Sequence, residues 1–171
     1  MRFNIKSILF SGIMIAIMGS SCKKDNPSLD NKLPDIPVTV DNKFGIFTGP
    51  AVSTSVAAGG AVKIILSIPA SSGRTIKEIT RVAAGTSVGS VQVTTGLYNT
   101  APIAGNGTTV TFNTTLTEYG AKVGPVIAPT PAVPATPGTA TSFLPRNFYF
   151  MITLDNGQVI IPTLVRVYVD K

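Results

Sequence analysis

Between Phe148 and Val169, apolar side chains recur at every second position on both sides of a tight turn. That period suits a pleated strand pair and no helix. Phe148, Phe150, Ile152 and Leu154 share one face, with Tyr149, Met151 and Thr153 on the other. Asp155-Asn156-Gly157 then turns the chain as a hairpin. On the return, Val165, Val167 and Val169 point inward, Arg166 and Tyr168 outward. Pro162 lacks an N–H, so a bulge or kink is expected there, with the strand lying at an edge or changing partner.

Shorter stretches upstream carry the same period. Val62, Ile64, Leu66 and Ile68 alternate with Lys63, Ile65 and Ser67. Val91 and Val93 flank Gln92, and Val110, Phe112 and Leu116 stand among threonines. One segment reads two ways. Thr75-Ile76-Lys77-Glu78 resembles a capping box, with Ile76, Ile79 and Val82 spaced like a helix face, yet the same residues suit a bulged strand. Gly73 and Gly85 confine it to a length marginal for a helix, which favours strand over 75–84. Ile36 to Val40 carries a Pro that suits an edge strand. The chain has no Trp, no His and one Cys, and it is rich in Thr, Val, Gly and Ser. Such a chain must hold itself by burying β-branched and aromatic side chains, so an all-β fold is expected.

About seven short strands with turns between them point to a β-sandwich. Leu144-Pro145-Arg146-Asn147-Phe148-Tyr149-Phe150, the hairpin, and the Val165–Val169 strand resemble the end of immunoglobulin-like and fibronectin type III domains. The resemblance implies an immunoglobulin-like β-sandwich in which Tyr149 bonds back to the chain. The buried Trp and inter-sheet cystine of antibody domains are absent.

The N-terminus carries a different message. Arg2 and Lys6 precede an apolar run of about a dozen residues, short of the about 20 a membrane span needs. Gly19, Ser20 and Ser21 follow, as in a secretory signal peptide over 1–21. Gly19-Ser20-Ser21-Cys22 resembles the bacterial lipobox, although Gly19 stands where Leu is usual. Lys23-Lys24-Asp25 resembles the start of lipoproteins from Bacteroidetes-type bacteria. The resemblance implies lipidation of Cys22 and a place on the outer membrane or cell surface. Residues 22–37, dense in Pro, Asp and Asn, read as a tether, and 38–171 as the domain. Within it, the prolines of 120–145 mark an extended loop. Loss of residues 1–21 lowers the formal charge from +6 to +4, too sparse for a nucleic-acid surface.

Most catalytic chemistry lacks its residues. Without His there is no Ser-His-Asp or Cys-His constellation. With Cys22 acylated, no zinc ligand remains, and Asp41, Glu78, Glu118, Asp155 and Asp170 have no calcium-loop spacing. No cofactor is expected, and no enzyme. Glu78 with Glu118 is the one pair to weigh for glycoside hydrolysis. Arg74, Lys77 and Arg81 form a basic cluster suited to a solvated face or an acidic glycan. Tyr98, Tyr119 and Phe143 flank loops and suit either core packing or stacking on sugar rings. The expected function is a lipid-anchored module for binding or adhesion to glycan or protein. The alternative is a structural accessory subunit docked by a strand edge or a sandwich face on an outer-membrane complex.

Overall fold

The chain divides into two units, Met1–Lys32 and Leu33–Lys171. A computed structural model describes residues 36–124 and 143–170, all in the second unit. The expected signal peptide, Cys22, most of the tether and most of the Pro-rich loop lie outside the described residues.

The described residues form nine strands and two short α-helices. The strands are β1 (Thr39–Val40), β2 (Ala51–Ser55), β3 (Ala61–Ser67), β4 (Ile76–Gly85), β5 (Ile103–Ala104), β6 (Thr109–Thr115), β7 (Asn147–Leu154), β8 (Val159–Ile160) and β9 (Arg166–Asp170). The helices are α1 (Gly89–Gln92) and α2 (Leu116–Val123). One sheet has the order β1-β3-β6, a second β5-β4-β7-β8, and β2 pairs with β9 in parallel. The fold is all-β, with sheets that do not close into a barrel.

All three sheets contribute to one core. Val62, Ile64 and Leu66 come from β3, Phe112 from β6, Val52 from β2, and Val165 and Val167 from the last strand region. They meet Phe148, Phe150, Ile152 and Leu154 of β7, each fully buried. Burying each such side chain stabilises by about 1.5–3 kcal/mol, and the alternation expected for β3 and β7 supplies them. The outward face of β7 is also covered. Tyr149 packs there with Ala83 and Val91 in a second, smaller cluster.

The segment with two readings is strand β4, and its pairing explains its helix-like spacing. Opposite β7, the register shifts between Ile76 and Glu78 and again between Ile79 and Arg81. Each shift inserts one extra residue, as in a β-bulge. Ile76, Ile79 and Val82 therefore all face the core, opposite Leu154, Ile152 and Phe150. Two bulges turn a period of two into a period of three.

The hairpin forms as expected. Gly157 adopts φ 84° and the Leu154 N–H donates to the Gln158 carbonyl at 2.9 Å. β8 pairs with β7 as far as Ile160. The segment holding Pro162 then interrupts the ladder, Val165 rejoins Phe148, and β9 crosses to β2. The partner change expected at Pro162 is observed.

Other expectations need correction. Val91 lies in α1, not in a strand, and Val93 is exposed. Leu116 does not continue β6 but opens α2, so residues 120–123 of the expected loop are helical. The Thr115 hydroxyl accepts from the Glu118 N–H at 3.1 Å, and Glu118 pairs with Lys122 one turn on. The tyrosine that bonds back to the chain is Tyr119, not Tyr149. Its hydroxyl donates to the Arg146 carbonyl at 3.2 Å and accepts the Arg146 N–H at 3.0 Å.

Two asparagines extend the ladders where strands stop. Asn42 accepts the Ile65 N–H at 2.9 Å and donates to the Lys63 carbonyl at 2.7 Å. Asn99 accepts the Val82 N–H at 2.6 Å and donates to the Thr80 carbonyl at 3.3 Å. In both, a side-chain amide does the work of a neighbouring strand's backbone.

Candidate functional site

The segment joining β1 to β2 crosses from the three-stranded sheet to the β2–β9 pair. It reads Lys43-Phe44-Gly45-Ile46-Phe47-Thr48-Gly49-Pro50. Glycine and proline break any period here, so no regular face carries its apolar side chains into the core; Phe44 and Phe47 are half-buried. Ile46 is 85% exposed, the most exposed large apolar side chain described. Gly45 has φ 70°, and a Cβ there would lie 2.5 Å from the Phe47 ring. Only glycine lets that ring fold back over the turn.

The rings of this segment build an aromatic cluster on the outward face of β9. Phe44 stacks on Tyr168 with centroids 5.3 Å apart. Phe143 meets Tyr168 edge-on at 5.6 Å and Phe47 at 5.0 Å. The Arg166 guanidinium lies 4.8 Å from the Phe143 ring centre and 5.5 Å from that of Phe47. Tyr168 thus points outward as expected, yet the cluster buries it. Beside these rings opens a cleft of about 450 Å³, lined by Val38, Val40, Lys43, Ile46, Phe47 and Pro162 among others. Among the described residues, no carboxylate lines it. Among the described residues, neither Lys43 nor Arg166 makes an ion pair.

The structure places the expected site residues apart from this cleft. Tyr98 is 4% exposed and Tyr119 fully buried. Tyr98 packs edge-on to Phe112 and Phe148, and Tyr119 edge-on to Phe148. Both are core rings, so the sugar-stacking role fails for them; Phe143 alone of the three belongs to the surface cluster. The Tyr98 hydroxyl bonds to Thr114 Oγ1 at 2.5 Å, and Thr114 donates to Glu118 Oε2 at 2.9 Å. Lys122 closes this chain, donating to Glu118 Oε1 and to the Tyr98 carbonyl, both at 2.7 Å. The Lys122 and Thr114 hydrogen bonds hold the Glu118 carboxyl below its ordinary range. Burial pushes the Tyr98 and Tyr119 phenols up.

Glu118 is therefore engaged in a structural network on α2. Glu78 sits on β4, opposite Ala104 and Thr153, and no observation joins the two carboxyls. Arg74 and Lys77 are exposed, while Arg81 donates to the Gln92 carbonyl at 2.8 Å and steadies α1. No hydrogen bond or ring contact unites these three cations among the described residues. Among the same residues, no three His, Cys, Asp or Glu side chains gather as a metal site. Phe44, Ile46, Phe47 and Arg166 went unmarked as site residues. For the first three the signal is large apolar side chains set among glycines and a proline, outside any strand or helix; Arg166, which opens β9, carries no such signal.

Comparison with protein-family models, with curated proteins and with solved structures finds no match to this chain.

Proposed function

We propose that this chain is a lipid-anchored, non-catalytic binding module of the bacterial cell surface, an immunoglobulin-like β-sandwich that meets its glycan or protein partner at the cleft beside Phe47. The observation that carries the reading is the segment 43–50. It holds Ile46 exposed and Phe44 and Phe47 half-buried along the cleft, where fuller burial would be the default for residues of this kind. The sandwich reading draws on the sheets β1-β3-β6 and β5-β4-β7-β8 contributing to one core, with β9 passing from β7 to the parallel partner β2. The anchor reading draws on Cys22 behind its short apolar run. Two or more acyl chains, at about 0.8 kcal/mol per buried methylene, would hold the domain durably.

Two measurements test the reading. Metabolic labelling with a fatty acid should mark the wild type and not Cys22→Ser; equal labelling of both refutes the anchor. Retention of the purified protein on glycan arrays or on envelope extracts should be lost in Ile46→Lys with the urea midpoint unchanged. Retention that survives Ile46→Lys and Phe47→Ala refutes the cleft.

A further inference from the structure

We infer that the cleft takes an extended, acidic polypeptide segment of another protein, added as a strand along β1. This rests on the cleft being the binding surface. Three observations lead to it.

The first is the direction of backbone groups. In an antiparallel ladder, alternate residues turn their N–H and C=O toward the partner strand. Thr39 pairs with Ser67, and the Asp41 N–H donates to the Ile65 carbonyl at 2.9 Å. Thr39 and Asp41 therefore turn toward β3. Val38 and Val40 turn the opposite way, off the edge of the β1-β3-β6 sheet, and both line the cleft. One wall of the cleft is thus a strand edge, the surface on which extended peptides dock by main-chain hydrogen bonds.

The second is the chemistry of the lining. Among the described residues, its side chains are apolar apart from threonines and Lys43, with no Asn, Gln, Asp or Glu. Sugar hydroxyls require donors and acceptors in number. A strand satisfies its polar groups through its backbone and asks only for apolar room for alternate side chains.

The third is charge. Lys43 on the rim and Arg166 behind the aromatic rings have no carboxylate partner among the described residues. Phe47 and Phe143 lie against the Arg166 guanidinium. Its planar fork suits a carboxylate, and the incoming strand would meet no like charge from the lining.

The test pans a random twelve-residue peptide library, displayed on phage, against the purified full-length protein. Recovered peptides are then measured by fluorescence anisotropy. The expected peptides carry Asp or Glu between alternating Val, Ile or Phe. Arg166→Gln and Lys43→Gln should each weaken them by about tenfold, and added salt should weaken them further. Arg166→Lys keeps the cation without the fork, so its loss should be partial; equal urea midpoints for the variants establish that the fold is intact. N-methylation of alternate peptide amides should abolish binding for one register and spare it for the other. Peptides without acidic bias, or indifference to N-methylation in both registers, overturn the inference. No recovered peptide also overturns it, and a glycan array then separates the two readings. Glycan retention lost in Ile46→Lys keeps the cleft as the binding surface, whereas no retention removes both.

Discussion

Replacing Asn99 by Ala should cost far more stability than replacing Asn42 by Ala, although the two side chains make nearly the same hydrogen bonds. Each accepts from the N–H of one strand residue and donates to the carbonyl two residues earlier. What differs is the surroundings. Val82, whose N–H bonds to Asn99 at 2.6 Å, is fully buried. Ile65, whose N–H bonds to Asn42, is only half-buried.

Truncation at Asn99 leaves the N–H of the fully buried Val82 without its partner, which costs about 1–3 kcal/mol. The bonds from Asn99 to the carbonyls of Thr80 and Ala101, at 3.3 and 2.8 Å, are lost as well. The sum is about 2–4 kcal/mol. Asn42→Ala also removes two bonds, but the residue whose N–H is freed is only half-buried and the other bond is exposed, so water replaces them more readily and the loss is about 0.5–1.5 kcal/mol. For a domain of this size, each kcal/mol lowers Tm by about 3–5 °C. Urea titrations followed by circular dichroism measure both variants, with equal m-values required for the comparison. Equal losses, or a larger loss at Asn42, would refute the argument that burial of the partner N–H sets the cost.

Four further outcomes are expected. Tyr119→Phe keeps the ring against Phe148 and loses only the two bonds to Arg146, for about 1–2 kcal/mol. Tyr119→Ala also empties a fully buried site and should cost about 3–5 kcal/mol in the same titration. Stability should fall at both extremes of pH. The Glu118 carboxyl sits below its ordinary value of 4.5, so its contribution is present above that pH and lost as pH drops below it. That loss should be small because the side chain is 42% exposed, and Glu118→Gln should flatten it. The Tyr98 and Tyr119 phenols sit above their ordinary 10.0, so their contribution is present below pH 10 and lost as pH rises beyond it. Phenolate absorbance should show Tyr98 and Tyr119 ionising late or only on unfolding, as Tyr98→Phe and Tyr119→Phe difference titrations would reveal. Gly105→Ala should destabilise by about 2 kcal/mol or more, because a Cβ there would run into the Ile76 carbonyl beside β5; an unchanged urea midpoint would contradict that packing. Deleting Thr80 should be tolerated better than deleting Tyr149, judged by yield of folded protein. The first removes a bulge residue and leaves Ile79 and Val82 inward, while the second flips half of β7.

Where one face of a strand pays no penalty for regularity, the sequence shows the fold directly. β3 and β7 keep strict alternation because each spans the core without interruption, and their inward residues were legible one by one. The turn at Gly157 and the partner change at Pro162 were legible for a local reason, since each rests on the backbone limits of a single residue type. The site was not legible in the same way. From the sequence Tyr98 and Tyr119 suit either core packing or sugar stacking, because whether a ring near a loop turns in or out depends on what the next sheet offers. Here Phe148 and Phe112 offer a place to pack. The cleft is lined by residues as distant as Val38, Phe47 and Pro162, and no spacing in the chain brings those together.

The motif Thr-x-x-Glu occurs twice, and the two copies show how context decides a local signal. Thr75 to Glu78 runs into Ile79, Thr80 and Val82, whose branched side chains disfavour helix and which β7 can cover. The segment becomes a strand, and its period of three survives only through two bulges. Thr115 to Glu118 runs into Tyr119, Gly120, Ala121 and Lys122, without a β-branched residue before Val123. There the cap forms, and Lys122 adds a 2.7 Å ion pair to Glu118 across one turn. A cap is worth only about 1 kcal/mol, less than burying one Ile or Val. In β4 three apolar residues stand to be buried on a neighbouring sheet, so burial outweighs the cap. At α2 the ladder with β3 has already ended opposite Ala61, and past that point the chain has no strand left to pair with. The cap is then the largest local term available, and a short helix is the result.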